Sequence, residues 1–262
     1  MSAQHQLINA TGTVYEDMNE NSKLDDGEKG IPGILVSNKQ KLVKTDQYGK
    51  YQMAIDANDD MIFVIKPTGY MLPLNEKNQP QFYYIHKPEG SPELKFPGVQ
   101  PTGKLPENVD FPLFPDAAKD TFDVIVLADP QPLVPEDLNY LRDDIVTELT
   151  DISASFGIVL GDIVWDNLAL YDHYNTIMSV IDKPLYHTPG NHDFNHNPEN
   201  NHYSLDTYNR CFGPAYYAFE YGQVSFIIIN SVGWNEDVQD KTRNSYEGRV
   251  DEKQLQWIGN YL

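Results

Sequence analysis

Apolar and polar positions change rhythm twice along this chain. Up to about residue 70, apolar residues come in short runs with Asn, Asp, Gly and Pro between them. That punctuation predicts strands over 34–37, 42–45, 50–55 and 61–66, joined by tight turns. No helical period runs through the stretch, so residues 1–70 are expected to form a small β-sandwich. Residues 71–118 are rich in proline and aromatics. Strands fit 82–86 and 109–114, and the rest reads as extended connection, because proline removes a backbone donor. This segment either joins one neighbour or wraps across both.

From Phe122 the pattern alternates strand and helix. Apolar runs at 122–128, 156–160 and 185–188 predict three strands. Leu138, Leu141, Ile145, Leu149 and Ile152 recur at helical spacing between the first two. Leu168, Tyr171, Ile177, Met178 and Ile181 do so between the second and third. Such alternation implies βαβ units with right-handed crossovers. Two further strands, 216–221 and 224–230, follow in hairpin style. A last helix is expected to open at Asp251, with Gln254 in the capping-box position and Leu255, Ile258 and Leu262 on one face.

Charge then narrows the function. The chain has 262 residues, 40% of them apolar, and a formal charge of −20. A phosphate backbone would be repelled by that field, so no nucleic-acid surface is expected. Bound dications would supply a local cationic site. A single cysteine, Cys211, excludes an internal disulfide. No secretory apolar region and no run long enough to span a bilayer is present.

The chemistry gathers where the three predicted strands end. The segments are Leu127-Ala-Asp-Pro-Gln131, Leu160-Gly-Asp162 and Pro189-Gly-Asn-His-Asp193. Parallel sheets open their ligand crevice at the carboxyl ends of their strands. Asp, Gln, Asp, Asn and His at three such ends describe a site for divalent metal ions. Hard oxygens and imidazole suit Mn, Fe, Zn or Mg, and two metals ~3.5–4 Å apart can clamp both oxygens of a phosphoryl transfer. Asp162, after a glycine that lets the backbone pass close, is the candidate bridge. Asp129 would hold one metal and Asn191 the other. Gln131 either ligates through its amide oxygen or caps the next turn. His192 could face the substrate as a proton donor, with Asp193 holding its tautomer. Asp166 and Asn167 either touch the site or cap the following helix. His187 reads as a satisfied core residue, His173 as a helix position, and His196 and His202 as polar-loop residues.

These three motifs, in this order, resemble the calcineurin-like metallophosphoesterases, and Gly190-Asn-His-Asp193 is the most specific of them. The flanking Phe212-Gly-Pro214, Tyr217 and Gln254-Leu-Gln-Trp257 agree. The resemblance covers about 120–262. It implies an α/β metallophosphoesterase sandwich over 119–262, incomplete at its carboxyl end, behind the small all-β sandwich. It also implies hydrolysis of a phosphoester by metal-activated water at a dinuclear centre. On it, Asp129, Asp162 and Asn191 bind metal and His192 is catalytic. Gln131 stands where the family usually has histidine. The family's later histidine ligands are not in this sequence, so the resemblance implies an inactive or weakly active piece of a larger enzyme.

Near the amino terminus, Asp17, Asn19, Asn21, Lys23, Asp25 and Glu28 fall at the offsets of a calcium loop, Lys23 through its carbonyl. The usual glycine at position six is Ser22. With Gly30-Ile-Pro-Gly33 and Thr45-Asp46-x-x-Gly49-x-Tyr51, residues 10–66 resemble the Cna-B and calcium-binding B-type sandwiches of bacterial adhesins. That likeness implies an exported protein whose signal peptide is missing from this chain, with a cytoplasmic location as the alternative. The leading function is thus a phosphatase or phosphodiesterase. Its rival is a non-catalytic exported binding or adhesion module with a vestigial metal site.

Overall fold

The computed structural model describes residues 6–117, 119–195, 201–234 and 246–262. The first nine strands are β1 (Leu7–Glu16), β2 (Lys29–Gly30), β3 (Leu35–Ser37), β4 (Leu42–Lys44), β5 (Lys50–Asp56), β6 (Asp60–Val64), β7 (Tyr70–Met71), β8 (Tyr83–His86) and β9 (Phe111–Pro115). They form two sheets. One runs β2-β1-β9-β7, with β5 antiparallel to β1 from Leu7 to Thr13; the other runs β4-β3-β6-β8. Alternation drives the first sheet: Tyr51, Met53 and Ile55 of β5 point inward while Lys50 and Gln52 face water. All five residues of β6 are buried, so that strand is covered on both faces.

The predicted strands fall close to these positions, and the long β1 escaped the pattern. The proline-rich segment contributes both strands and long connecting loops. Its β8 and β9 complete the two sheets, β9 running parallel to β1 through Val14 and Phe111. Its loops reach the rest of the chain, for example where Asn78 Nδ2 donates to the Ser179 carbonyl.

The second half begins with β10 (Val124–Leu127). A helix follows in three pieces: α1 (Pro135–Tyr140), a π-helical stretch Leu141–Val146 and α2 (Thr147–Leu149). Next come β11 (Phe156–Leu160), α3 (Tyr171–Met178), β12 (Leu185–Thr188), α4 (Asp206–Phe212), the hairpin β13 (Tyr217–Tyr221) and β14 (Val224–Ile228), the pair β15 (Val232–Trp234) and β16 (Tyr246–Gly248), and α5 (Glu252–Tyr261). Strands β10, β11 and β12 are parallel neighbours in that order.

One core fills the helical side of this parallel sheet, from Leu138 and Val146 to Tyr171, Tyr174, Tyr208 and Phe212. The other side faces the hairpin. There Tyr186 stacks on Phe219 at 3.9 Å, Phe219 on Phe226 at 5.0 Å, and Phe156 meets both edge-on. This second core continues without interruption from Ala10 to Trp257.

Three local expectations change. The π-helical stretch advances the first helix, so Val146 is fully buried while Ile145 and Ile152 are exposed. Asp251 does cap α5, accepting from the Gln254 amide. The Gln254 side chain, however, bonds the amide and carbonyl of Asn230 and closes no capping box. The buried face of α5 is Gln254 and Trp257, and Leu255 and Leu262 point to solvent. His187 is buried beside Tyr174 and Phe212, yet its Nε2 has no hydrogen-bond partner among the described residues; burial holds its pKa down, to about 3.

Candidate functional site

Three adjacent strand ends build the site. Register pairs Leu127 with Val159 and Leu160 with Thr188, so the turns after β10, β11 and β12 emerge side by side. Neighbouring strands lie ~4.8 Å apart, which brings the turns carrying Asp129, Asp162 and Asn191 together.

Direct bonds tie them. The Gln131 amide donates to the Asp162 carbonyl at 3.0 Å, and Gln131 Nε2 donates to Asp162 Oδ2 at 3.0 Å. The His192 amide donates to Asp162 Oδ1 at 3.0 Å. Two glycines make this closeness feasible. A Cβ on Gly161 would sit 2.8 Å from the Gly190 nitrogen, and one on Gly190 would collide with the Asp162 carboxylate and amide. The backbone is strained here as well: Asp129, Gln131, Asp162 and Asp166 all have positive φ, between 46° and 58°. Such left-handed residues persist where surrounding structure holds them, often at functional sites.

Two carboxylates near the third motif do different work, which sequence spacing did not resolve. Asp193 does not reach His192. It is fully buried and accepts from the Gly190 and Ile163 amides and from the Tyr171 hydroxyl at 2.8 Å. Burial pushes its pKa up to about 7, and the charge of Asp162 adds to that, against the pull of those donors. Its work is to fold the turn that presents Asn191 and His192. The imidazole is held instead by Asp166, whose Oδ1 lies 2.7 Å from His192 Nδ1. Trp165 stacks on the ring at 4.6 Å. Asp166 was one of two readings from sequence; its place four residues after Asp162 was the available signal. Trp165 carried none.

The donor types at these strand ends are those a hard divalent cation prefers. Asp129, Asp162, Gln131 and Asn191 offer carboxylate and amide oxygens, which suit Mg or Mn better than a softer ion. Among the described residues no group of three or more His, Cys, Asp or Glu is placed to hold a metal. Of the other histidines, His202 contacts Asp59 at 2.6 Å, His173 lies in α3, and His196 falls outside the described residues.

The amino-terminal loop folds around its own oxygens. Asp17, fully buried, accepts from the Asn21 and Ser22 amides; Asn19 and Asn21 donate to Asp25; and Glu28 accepts from the Met18 and Asp25 amides. The Asn19 and Asn21 bonds hold the Asp25 carboxyl below its usual range. Ser22 adopts φ 59°, the left-handed turn for which a glycine is the usual choice.

Residues 18–98 match the family model described as the N terminal of Calcineurin-like phosphoesterase. A comparison with curated proteins gave no match. The matched stretch begins in the Asp17–Glu28 loop and ends before β10, so it is independent of the three motifs. It covers the region that the sequence likens to a Cna-B-type sandwich, and that finer likeness is not confirmed. Mixed sheets with few helices are consistent with part of a calcineurin-like domain, and the family match on residues 18–98 supports the metallophosphoesterase family for this chain.

Proposed function

We propose that this chain carries the site of a metal-dependent phosphoester hydrolase. The single observation behind the reading is the knot of bonds joining Gln131, Asp162 and His192 at three adjacent strand ends, with His192 backed by Asp166. Asp129, Asp162, Gln131 and Asn191 would hold the cation, with Asp162 between two if two bind. A bound divalent cation supplies Lewis acidity toward a phosphoryl oxygen and a water of lowered pKa.

The chain's own residues do the rest. Asp166 takes Nδ1 of His192 and fixes the ring's orientation. Nε2 is then the nitrogen left to give a proton to the departing alkoxide. Trp165 lies against the imidazole and limits its tilt. Asp193 keeps the turn in place from below. In the amino-terminal part, the Asp17–Glu28 loop would take calcium through Asp17, Asn19, Asn21, Asp25, Glu28 and the Lys23 carbonyl. The sandwich likeness adds an exported location to the same proposal.

The test pairs binding with turnover. Manganese is titrated into the chain by calorimetry, and a generic phosphomonoester and phosphodiester are assayed with it. Saturable manganese binding that Asp162→Asn removes is expected, together with hydrolysis of one ester. His192→Ala should lower that rate at least ~100-fold while leaving manganese affinity nearly unchanged. Absence of manganese, magnesium and zinc binding would sink the proposal. A second reading, a binding module with a vestigial site, draws on Gln131 spending its amide on Asp162. Tight calcium binding with no site for the other ions would favour it.

A further inference from the structure

A cavity of about 300 Å³ opens at the far end of the parallel sheet from the motifs. Ser155 and Pro184 line it, each immediately before the start of β11 or β12. Five aromatic rings, those of Tyr70, Phe114, Phe156, Tyr186 and Tyr221, contribute to a mostly apolar wall. The volume lies at the lower end of the range for small-molecule pockets, enough for one or two fused rings. Concave, mostly apolar spaces with a few converging polar groups are the usual form of a small-molecule site.

The cationic group is Lys66. It is 4% exposed. Its ammonium donates to the carbonyls of Tyr70 at 2.8 Å and Pro67 at 3.1 Å and lies 5.4 Å from the Tyr221 ring centre. No carboxylate oxygen among the described residues lies within 4.0 Å of it. Lysine is almost never buried this deeply without an ion-pair partner. Two of its three protons are committed, which leaves one donor for a guest. Burial also draws its pKa down to about 8, despite the charges of Asp116 and Glu220. An anion in the cavity would supply the missing partner.

The surroundings limit which anion. Glu20 and Asp116 also line the cavity, and the chain carries −20 overall. A multiply charged phosphate is repelled, whereas a single negative charge on an apolar body is admitted. We propose that this cavity binds a singly charged aromatic acid, its rings on the aromatic wall and its carboxylate on Lys66. The guest joins the segment after β6 to the parallel sheet and stabilises the folded chain by mass action. Nothing in this depends on the hydrolase reading.

Calorimetry on the full chain at pH 7 tests it with 2-naphthoate, 2-naphthalenemethanol and inorganic phosphate. One saturable site for naphthoate is expected, with the alcohol at least ~10-fold weaker, the scale of a charge-assisted hydrogen bond, and no binding of phosphate. Lys66→Met should weaken naphthoate to the level of the alcohol. Met71→Trp fills the cavity from its half-exposed rim, keeps Lys66, and should abolish binding of both aromatics. If Lys66→Met fails to fold by circular dichroism, the Met71→Trp result decides. No saturable naphthoate binding, equal affinity for acid and alcohol, or full affinity in Met71→Trp each overturns the proposal.

Discussion

Asp166 and Asp193 are both carboxylates beside one histidine, and burial gives them different work. Asp193 is sealed in, with two amides and a phenol around it, so it serves the backbone. Asp166 is partly open and faces Nδ1 of His192. Replacing Asp166 by Asn keeps the shape and can reverse the hydrogen bond's polarity, which favours the wrong tautomer. Asp166→Asn is therefore expected to lower phosphoester turnover at least ~10-fold with manganese affinity retained. An unchanged rate in a steady-state assay would remove Asp166 from the mechanism. The sequence placed Asp129, Asp162, Asn191 and His192 at strand ends because strand periodicity and turn residues are local signals. It favoured no single role for Asp166, since a carboxylate four residues past a turn caps helices as readily as it orients a ring.

At the scale of elements, the turns after β11 and β12 interlock through Gly161 and Gly190. Gly190→Ala drives a methyl into Asp162 and must part the two turns. The expected result is a loss of manganese affinity of ~10–100-fold, the range for groups that orient metal ligands, while far-UV circular dichroism stays the same. Retained affinity in a manganese titration would show that the turns can yield. Element legibility followed how local the cause was. Leu168, Tyr171, Ile177, Met178 and Ile181 all proved buried: Tyr171, Ile177 and Met178 lie in α3, and Leu168 and Ile181 in the single 3-10 turns on either side of it. The first helix did not, because a π-helical stretch shifts the inward face from Ile145 to Val146. In α5, Gln254 is buried and Leu255 exposed, since Gln254 meets the main chain of Asn230, a partner far away in sequence. Strand β9 was visible as a run; its parallel partner β1, nearly a hundred residues earlier, was not.

Across the whole molecule, a partly buried ion cluster joins the two halves. Lys87 bonds Asp59 at 2.7 Å and Asp206 of α4 at 2.8 Å, and His202 lies 2.6 Å from Asp59. Burial alone would raise the Asp59 pKa, but His202 and Lys87 outweigh it and bring it to about 2. A carboxyl depressed on folding stabilises the native state above its unfolded pKa of about 4 and loses that contribution as pH falls through 2. Asp59→Asn should thus cost about 2 kcal/mol at pH 7 and progressively less below pH 4. Urea denaturation at pH 7 and pH 3 measures this, and an equal cost at both would sever the link to ionisation.

The larger core also has a consequence for how the chain is made. Trp257 of α5 packs on Phe63 and donates its indole proton to Ser37 of β3 at 2.8 Å. During synthesis, Ser37 and Phe63 leave the ribosome some two hundred codons ahead of that indole. Until it arrives, the early sheets carry an unsealed apolar face, the kind of surface that chaperones capture and that nascent chains aggregate through.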